Sequence, residues 1–392
     1  MAERSSAAAR RPPAPIPLTV ITGFLGAGKT TLLNRLLKDP ALSDTAVLIN
    51  EFGEIGLDHL LVERVDDGIV MLSSGCLCCT VRGDLVTALE KLLRDRDNGR
   101  IAFRRVVIET TGLADPAPVL HTIMAHPYLV MRFRLDGVVT LVDAVNGAAT
   151  LDSHPEAVKQ AAVADRLVLT KTDLLSSFPA GEGGKDAPRL EELRARLRAL
   201  NPGAPILDAA GGEATSEKLL GCGLYDPEGK TPDVRRWLAD EAIAAAHDSH
   251  DAHEHGQHAH RHDRNRHDDH IRAFTVSTER LIPHATLDMF LELLRAMHGP
   301  DLLRMKGIVG LADQPENPVV IHGVQHVLHP PATLPGWPDG DRRTRLVFIT
   351  RDIEPAVVEN LLSAFLNVPM VDRPDAAALA DNPLVPFGGR DR

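Results

Sequence analysis

Residues 23–30 constrain the fold of this chain more than any other segment. Their sequence, GFLGAGKT, matches G-x-x-x-x-G-K-[ST] at every required position. The apolar run LTVIT precedes the segment, and the helical pattern TTLLNRLLKD follows it. In such a strand–loop–helix arrangement the glycines let backbone N–H groups turn inward, and the helix dipole adds positive potential. The segment therefore predicts a loop that binds the phosphates of a nucleotide.

Two side chains of this loop have predicted chemical roles. Lys29 would reach the outer phosphates, and Thr30 would place its hydroxyl on Mg²⁺. We predict nucleotide contacts from seven residues of the loop: Gly23, Gly26, Ala27, Gly28, Lys29, Thr30 and Thr31.

Short β-branched runs alternate with amphipathic segments from Pro17 to about residue 210. The runs are LTVIT, TAVLIN, GIVML, RRVVIET, DGVVTLVD, RLVLTK and APILDA. Between them lie segments such as LVTALEKLLRDR, whose leucine spacing is helical. This alternation predicts an α/β fold with a mostly parallel sheet that helices cover on both faces.

The run RRVVIETTGLADP supplies a second predicted part of the nucleotide site. Glu109 ends the strand pattern, where an acid can hold or orient hydrated Mg²⁺. Gly112 follows closely and can approach a γ-phosphate. We predict Lys29 and Glu109 as catalytic residues, with Glu109 standing where many GTPases have Asp.

The run LVLTKTD predicts which base is bound. Asp173 can accept hydrogen bonds from two guanine donors, and adenine offers no matching pair. The stem of Lys171 could lie along the base. Thr170 stands where GTPases usually carry Asn. These residues predict GTP, and Asp173 weakens the alternative of a P-loop kinase, as does the lack of a lid-like arginine pattern.

Three of the four cysteines lie within four positions of SSGCLCCTVRGDL, as Cys76, Cys78 and Cys79. Four cysteines in 392 residues are too few for a disulfide scaffold. Thiolates suit Zn²⁺ and other borderline-soft ions, and three of them leave one tetrahedral position open. We predict a divalent metal site here, with Glu54 of NEFGEIGLD as an oxygen ligand and Glu51 near the same sheet edge. Buried structural cysteine is the alternative.

Nine of the 18 histidines lie in residues 247–270, among Asp, Glu and Arg. Such a segment cannot fold alone, and it predicts either a metal-collecting tether or a solvated linker. His126 is a weaker ligand candidate, and we assign no metal role to His322, His326 and His329. A second pattern of strands and helices, in which PVVIHGVQHVLH is a single strand, then predicts a small α+β domain. The predicted domains are 1–17 leader, 18–246 nucleotide-binding domain, 247–270 linker, 271–371 C-terminal domain and 372–392 tail.

Composition excludes several other classes of protein. A formal charge of −11 argues against general nucleic-acid binding, which needs a basic surface. No run approaches the ~20 apolar residues of a membrane span. The N-terminal 17 residues contain no apolar core like that of a secretory signal. We therefore expect a cytoplasmic protein.

Together these motifs resemble the CobW-type GTPases. The resemblance rests on GFLGAGKTTLLN, NEFGEIGLD, GCLCCTVRGDL, ETTGLADP and LTKTD, in that order, and on LLRMKGI after the His-rich segment. It covers roughly residues 18–366. It implies a P-loop GTPase domain with a C-x-C-C metal site, in which the nucleotide state is coupled to the transfer of a divalent metal.

The resemblance predicts a GTP-hydrolysing metallochaperone with GTP, Mg²⁺ and Zn²⁺ as ligands and a client metalloprotein as partner. The softness of the thiolate ligands and the spacing of the cysteines are also compatible with Co²⁺ or Fe²⁺. Cobalt delivery for cobalamin synthesis is an alternative within the family. Another alternative is a metal store or sensor in which GTP is a regulatory ligand. No residue that orients the attacking water is evident, so we expect slow intrinsic hydrolysis. No feature of the sequence indicates an oligomeric state.

Overall fold

Two β-sheets organise the described part of the chain. The structure is a computed structural model that describes residues 14–50, 62–65, 69–74, 82–175, 186–221, 270–329, 331–338 and 340–366. The elements of the first half are β1 (Ile16–Gly23), α1 (Lys29–Leu36), a 3₁₀ turn (Pro40–Leu42), β2 (Thr45–Asn50), β3 (Val62–Val65), β4 (Ile69–Ser74), α2 (Arg82–Asp97), β5 (Arg105–Glu109), α3 (Ala117–Ala125), α4 (Pro127–Arg132), β6 (Phe133–Asp143), α5 (Gly147–Ser153), α6 (Pro155–Ala162), β7 (Arg166–Thr170), α7 (Thr172–Leu175), α8 (Asp186–Leu200), β8 (Ile206–Asp208) and α9 (Ser216–Leu219).

Within the described residues, the first sheet has eight strands in the order β3-β4-β2-β5-β1-β6-β7-β8. All neighbours run parallel except β3 and β4, which are antiparallel. The predicted α/β fold with a mostly parallel sheet is confirmed. The sequence pattern does not predict the short strand β3. Because β1 lies between β5 and β6, the loop that leaves β1 is central at the carboxyl edge of the sheet.

Side chains of β1 alternate between the two faces of the sheet. Leu18 and Val20 belong to a buried cluster that includes residues of α2 and α3. Ile21 belongs to a cluster with Leu32 and Leu33 of α1. A central strand that is buried on both faces reads as a continuous apolar run, which is the pattern that predicts it.

The second sheet forms an α+β C-terminal domain. Its elements are β9 (Ile271–Thr278), α10 (His284–His298), β10 (Leu302–Val309), β11 (Val319–Val324), β12 (Val327–Leu328), β13 (Ala332–Thr333), β14 (Thr344–Arg351) and α11 (Pro355–Phe365). The strand order is β12-β11-β10-β14-β9, and β13 pairs with the part of β11 that does not pair with β12. All these pairs are antiparallel.

One predicted strand of this domain is wrong. The run PVVIHGVQHVLH reads as a single strand, but it folds as the hairpin β11–β12 around Gln325, whose φ is +51°. The fold back brings two of its histidines together. The rings of His322 and His329 stack with centroids 4.9 Å apart, and both side chains are buried.

The two halves meet at a buried charge cluster. Asp165, between α6 and β7, accepts hydrogen bonds from the backbone N–H of Val138 at 2.9 Å and from Arg304 of β10. Lys306 Nζ lies 3.0 Å from the same carboxylate. Arg304 also donates to the carbonyl oxygen of Val163. Burial raises the pKa of Asp165, but Arg304 and Lys306 outweigh it, so this pKa lies well below its usual range.

A second contact between the halves involves the segment after β5. Gln325 Nε2 donates to Asp115 Oδ2 at 3.3 Å, and Lys159 Nζ of α6 lies 3.8 Å from the same oxygen. The rings of His121 and His326 pack 4.4 Å apart beside this contact. The C-terminal domain therefore touches both α6 and the loop that follows Glu109.

Candidate nucleotide site

The glycine-rich loop between β1 and α1 has the backbone that its sequence predicts. Gly23, Gly26 and Gly28 have φ values of +142°, +74° and +87°, a region that side chains rarely adopt. A Cβ on Gly23 would lie 2.5 Å from the carbonyl oxygen of Leu141 in β6. Glycine is therefore required at Gly23 both by conformation and by the close approach of β6.

Lys29 opens α1, and its side chain is almost fully buried. Its Nζ donates to the carbonyl oxygens of Gly23 and Phe24, at 2.8 and 3.3 Å. The ammonium group is thus held within the curve of the loop, where the N–H groups at the helix N-terminus also favour an anion. This arrangement suits phosphate binding.

Thr30 and Glu109 meet at the same edge of the sheet. The Thr30 hydroxyl donates to Glu109 Oε1 at 2.8 Å, and Glu109 is 3% exposed. A hydroxyl and a carboxylate side by side are oxygen donors of the kind that Mg²⁺ prefers. The two side chains fit a magnesium ion, and they would hold it between the loop and the end of β5.

The segment after β5 packs directly on the glycine-rich loop. A Cβ on Gly112 would lie 2.6 Å from the backbone nitrogen of Leu25. Thr110 donates to Thr22 at 2.8 Å, which joins the ends of β5 and β1. Thr111 is buried, and its hydroxyl has no hydrogen-bond partner within the described residues. The sequence motifs predict no role for Thr110 or Thr111.

These parts enclose a cleft of about 570 Å³. Its lining residues are Leu25, Gly26, Gly28, Lys29, Thr30, Thr31, Glu109, Thr110, Thr111, Gly112 and Lys171. The structure thus brings the predicted phosphate and magnesium residues together around one space. Two of the seven residues predicted to contact the nucleotide, Gly23 and Ala27, do not line this cleft. Both are buried and instead support the loop from the protein interior.

The predicted base-binding residues lie at the end of β7 and directly after it. The Thr170 hydroxyl donates to the carbonyl oxygen of Ala27 at 2.8 Å, so it fastens β7 to the phosphate loop. Lys171 has φ +61° and donates to Asp143 Oδ2 at 2.7 Å. Burial raises the pKa of Asp143, but hydrogen bonds from Lys171 and Asn146 outweigh it and lower that pKa. Asp143 therefore stays ionised and fixes Lys171.

A second cleft of about 600 Å³ adjoins these residues. It is lined by Gly28, Thr31, Leu32, Arg35, Thr170, Lys171, Asp173, Leu174, Ala209 and Ala210. Asp173 is exposed at this surface. Because the cleft continues from Gly28 and Thr31, it offers a base and ribose a place next to the phosphates.

The loop after β8 forms one wall of this second cleft, and no sequence motif indicates this role. Asp208 Oδ1 accepts from the hydroxyl of Thr172 at 2.6 Å and from the N–H groups of Ala210 and Gly211 at 2.9 and 3.1 Å. Arg35 of α1 donates to the carbonyl oxygen of Ala209 at 2.8 Å. Burial raises the pKa of Asp208, yet these hydrogen bonds lower it overall. Asp208 thus joins α7, which carries Asp173, to the opposite wall.

The predicted metal ligands Cys76, Cys78, Cys79 and Glu54 lie outside the described residues, as do Glu51 and all of the His-rich segment except His270. The strand before the cysteines is described. Ile49 of β2 pairs with Glu109 on one side and with Ser73 of β4 on the other. Ser73 is therefore about 10 Å from the strand position of Glu109, at two strand spacings. Within the described residues, no group of three metal-binding side chains occurs.

The structure gives the remaining histidine candidates structural positions. His126 caps α4, since its Nδ1 accepts from the N–H of Leu129 at 3.4 Å. His322 and His329 are the stacked pair beside Asp165. Among the helices that the structure describes, none is both long and apolar enough to cross a membrane.

The sheet order, the glycine-rich loop and the Thr30–Glu109 pair define a P-loop nucleotide-binding protein. Residues 17–208 match the family model for the CobW/HypB/UreG nucleotide-binding domain, and residues 271–366 match the cobalamin synthesis protein CobW C-terminal domain. The chain belongs to the CobW family of this class.

Comparison with individual proteins agrees with this assignment. The chain is 33% identical to the zinc chaperone YjiA of Escherichia coli over 338 residues, which span 86% of this chain and 94% of the relative. It is 31% identical to the zinc chaperone CobW of a Sinorhizobium species, over 90% of this chain and 97% of the relative. The crystal structure of the zinc-bound YjiA GTPase from E. coli superposes with a TM-score of 0.61 at 27% identity, covering 90% of this chain and 99% of that one.

Proposed function

We propose that this protein is a GTP-hydrolysing metallochaperone that binds a divalent metal ion, which we infer to be zinc, and transfers it to a client protein. One observation carries the proposal: β4 and β5 end at the same edge of one sheet. The cysteine segment follows β4, and Glu109 and Gly112 follow β5. Two relatives that span most of the chain are zinc chaperones by name, which supports zinc as the metal.

The nucleotide in this proposal is GTP with Mg²⁺. Backbone N–H groups of the glycine-rich loop and Lys29 bind the β- and γ-phosphates. Thr30 and Glu109 hold the magnesium ion, which neutralises charge that develops on the phosphates. Asp173 accepts hydrogen bonds from guanine, while Lys171, fixed by Asp143, covers the base.

Hydrolysis without a client is slow in this proposal. The position directly after Gly112 is Leu113, an apolar side chain that is 46% exposed. A leucine can neither orient nor deprotonate a water molecule, so the attacking water lacks a polar partner from this position. Client binding through the C-terminal domain would then accelerate turnover.

The metal site of the proposal comprises Cys76, Cys78, Cys79 and, as an oxygen ligand, Glu54. An incomplete thiolate shell suits a protein that must release its metal. We also retain the predicted domain limits, with a nucleotide-binding domain at 18–246, a His-rich linker at 247–270 and a C-terminal domain at 271–371. The protein acts in the cytoplasm.

The test is a linkage measurement. If γ-phosphate and metal order the same sheet edge, Zn²⁺ must tighten GTP binding by the factor by which GTP tightens Zn²⁺ binding, about 5 to 150 for ordinary couplings. GTP affinity is measured with and without Zn²⁺ in the unmodified protein, in Cys78→Ala and in the matched control Cys222→Ala. We expect Cys78→Ala to abolish most of the coupling and Cys222→Ala to preserve it.

Three outcomes separate the alternatives. Coupling together with client-stimulated phosphate release and metal transfer supports the metallochaperone. Equal GTP affinities with zinc bound at the cysteines would instead indicate a passive metal store. The same titration with Co²⁺ in place of Zn²⁺ tests the cobalt alternative, which predicts the larger coupling for cobalt.

A further inference from the structure

Gln160 of α6 is buried against the loop that follows β5, although it belongs to none of the nucleotide motifs. The residue is 1% exposed. Its Nε2 donates to the carbonyl oxygens of Gly112 and Ala114, at 3.2 and 2.9 Å. Its main-chain carbonyl oxygen accepts from the Thr140 hydroxyl of β6 at 2.7 Å. One side-chain amide thus spans both sides of Leu113.

These bonds hold the middle of a segment whose two ends are anchored at Thr110 and Asp115. Leu113 lies between the two bonded carbonyls and is 46% exposed, so its side chain is not buried in the core. Gly112 packs so closely on Leu25 of the phosphate loop that no Cβ would fit between them. A displacement of Gly112 would therefore change the floor of the phosphate cleft.

Gln160 also lines a separate cavity. Its Oε1 is buried and has no hydrogen-bond partner within the described residues. Gln160 lines a cavity of about 270 Å³ together with Leu25, Gly26, Asp143 and Lys171. A buried acceptor without a partner is costly. This cavity shares Leu25, Gly26 and Lys171 with the phosphate cleft, so these residues separate Gln160 from the space proposed for the nucleotide.

The helix that carries Gln160 is itself held in place. Lys159 lies 3.8 Å from Asp115, the end of the same loop. Just beyond the helix, Arg304 of the C-terminal domain binds the carbonyl oxygen of Val163 and the carboxylate of Asp165. Gln160 therefore extends from a fixed support to a loop that must meet a γ-phosphate.

We propose that Gln160 is a positioning residue for γ-phosphate recognition, which acts by holding the backbone of Gly112 against the phosphate loop. The inference rests on the proposed function, in which the nucleotide is GTP. Only a triphosphate reaches Gly112, so the two amide hydrogen bonds favour GTP over GDP. Loss of these bonds would reduce discrimination between the two nucleotides and slow turnover, because the γ-phosphate would be held less firmly.

The first test replaces Gln160 with methionine, which keeps the length of the side chain but cannot donate. We expect Gln160→Met to weaken binding of a non-hydrolysable GTP analogue by about tenfold, the order expected for two hydrogen bonds. GDP affinity should stay within about twofold of the unmodified protein, since GDP lacks the contacted group.

A control variant separates positioning from general loss of stability. Thr140→Val removes the buried hydrogen bond to the backbone of Gln160 and leaves its amide in place. We expect a lower thermal midpoint for Thr140→Val with an unchanged ratio of analogue to GDP affinity. Thermal midpoints are recorded for every variant.

A second variant makes the effect depend on pH. Gln160→Glu puts a carboxyl group opposite two carbonyl oxygens, where burial raises its pKa. The ionised form repels both carbonyls, and the protonated form can donate to one of them. We expect analogue affinity of Gln160→Glu, relative to the unmodified protein at the same pH, to recover at least threefold between pH 7.5 and 5.5, about the effect of one restored hydrogen bond. Gln160→Met should show no such recovery.

The outcomes distinguish this inference from the proposed function. Equal loss of analogue and GDP affinity in Gln160→Met, or unchanged discrimination with no pH-dependent recovery in Gln160→Glu, would overturn the positioning role. Failure of the unmodified protein to bind either guanine nucleotide would overturn the proposed function itself. Selective loss of analogue binding supports both.

Discussion

Thr170 connects two parts of the nucleotide site through a single hydroxyl group. It ends β7 at the position before Lys171, and it donates to the carbonyl oxygen of Ala27 inside the phosphate loop. Asparagine, with a longer side chain, usually stands at this position in GTPases. Here the shorter threonine reaches the loop, and a Cβ added at Gly28 would lie 3.9 Å from the nearest atom of Thr170, an ordinary van der Waals contact.

We expect Thr170→Val to weaken GTP and GDP binding by the same few-fold factor. The substitution preserves shape and removes one buried hydrogen bond, worth about 1 kcal/mol. Both nucleotides use the loop that this bond supports, so their ratio should not change. Titration of each nucleotide against Thr170→Val and the matched Thr170→Ser checks this, and a selective loss of GTP binding would contradict it.

Gly112 is the second residue at which a small change should matter. A Cβ there would meet the backbone of Leu25 at 2.6 to 2.7 Å, a distance that requires the loop to move. We expect Gly112→Ala to lower GTP affinity and turnover at least tenfold, because displacement of the two loops removes a γ-phosphate contact. Phosphate release is compared with Gly336→Ala, where nothing lies within 4 Å of the added carbon. Normal turnover in Gly112→Ala would mean that the γ-phosphate does not approach this residue.

At the scale of elements, Asp208 joins α7 to the loop after β8. Its carboxylate bonds to Thr172 of α7 and to two N–H groups of the loop. We expect Asp208→Ala to weaken guanine binding severalfold, because Asp173 and the wall at Ala209 would no longer be held together. The exposed Asp313→Ala serves as a control. Affinities for GTP and inosine triphosphate, which lacks one donor that Asp173 would use, show whether the loss occurs at the base.

The same scale shows which elements can be predicted from sequence. All seven predicted strands of the first sheet are present, because buried parallel strands combine continuous apolar runs with clear interruptions. The hairpin at Gln325 escapes prediction because its apolar pattern continues through the turn, and a positive φ at a glutamine leaves no glycine or proline signal. The short β3 is not predicted because it spans only four positions, Val62–Val65, in which two adjacent charged residues lie between two valines and so give no period-two alternation.

Prediction of the site divides in the same way. The phosphate loop, Thr30 and Glu109 are predictable because each belongs to a short motif at the end of a predicted strand, and those strands, β1 and β5, are neighbours in the sheet. Asp143, Asp208 and Gln160 are not, since each acts on a residue 28 or more positions away in the chain. Such contacts depend on the order of the strands in the folded sheet, which the local sequence pattern does not specify.

For the whole molecule, the buried cluster between the halves predicts an acid-sensitive interface. Burial lowers the pKa of His329 to about 4 from an ordinary 6.5, and it lowers the pKa of His322 well below 6.5. The adjacent Arg304 and Lys306 add positive charge, while Asp165 supplies one negative charge. Both rings are therefore neutral in the folded protein at neutral pH.

The sign of the pH effect follows from this difference. Above pH 6.5 the histidines are neutral in both folded and unfolded states, and their contribution to stability is fully present. As the pH falls from 6.5 towards 4, the unfolded state takes up protons first, so the free energy of unfolding falls, by up to about 3 kcal/mol for His329. Urea unfolding at pH 7 and pH 5 should show this loss, and the free energy of unfolding should change less between these two pH values in His329→Phe. His284→Gln, a change at an exposed position, should show the same change in the free energy of unfolding with pH as the unmodified protein.

The contact between Arg304 and Asp165 also determines how the chain can be divided for separate production. A fragment that stops at residue 221 would retain every residue that lines the two nucleotide clefts. It would also uncover Ala162, which packs with Leu303 and Ile349 of the other half, and deprive Asp165 of both its cations. The isolated half should therefore unfold more readily than the full chain even though its ligand-binding residues are complete.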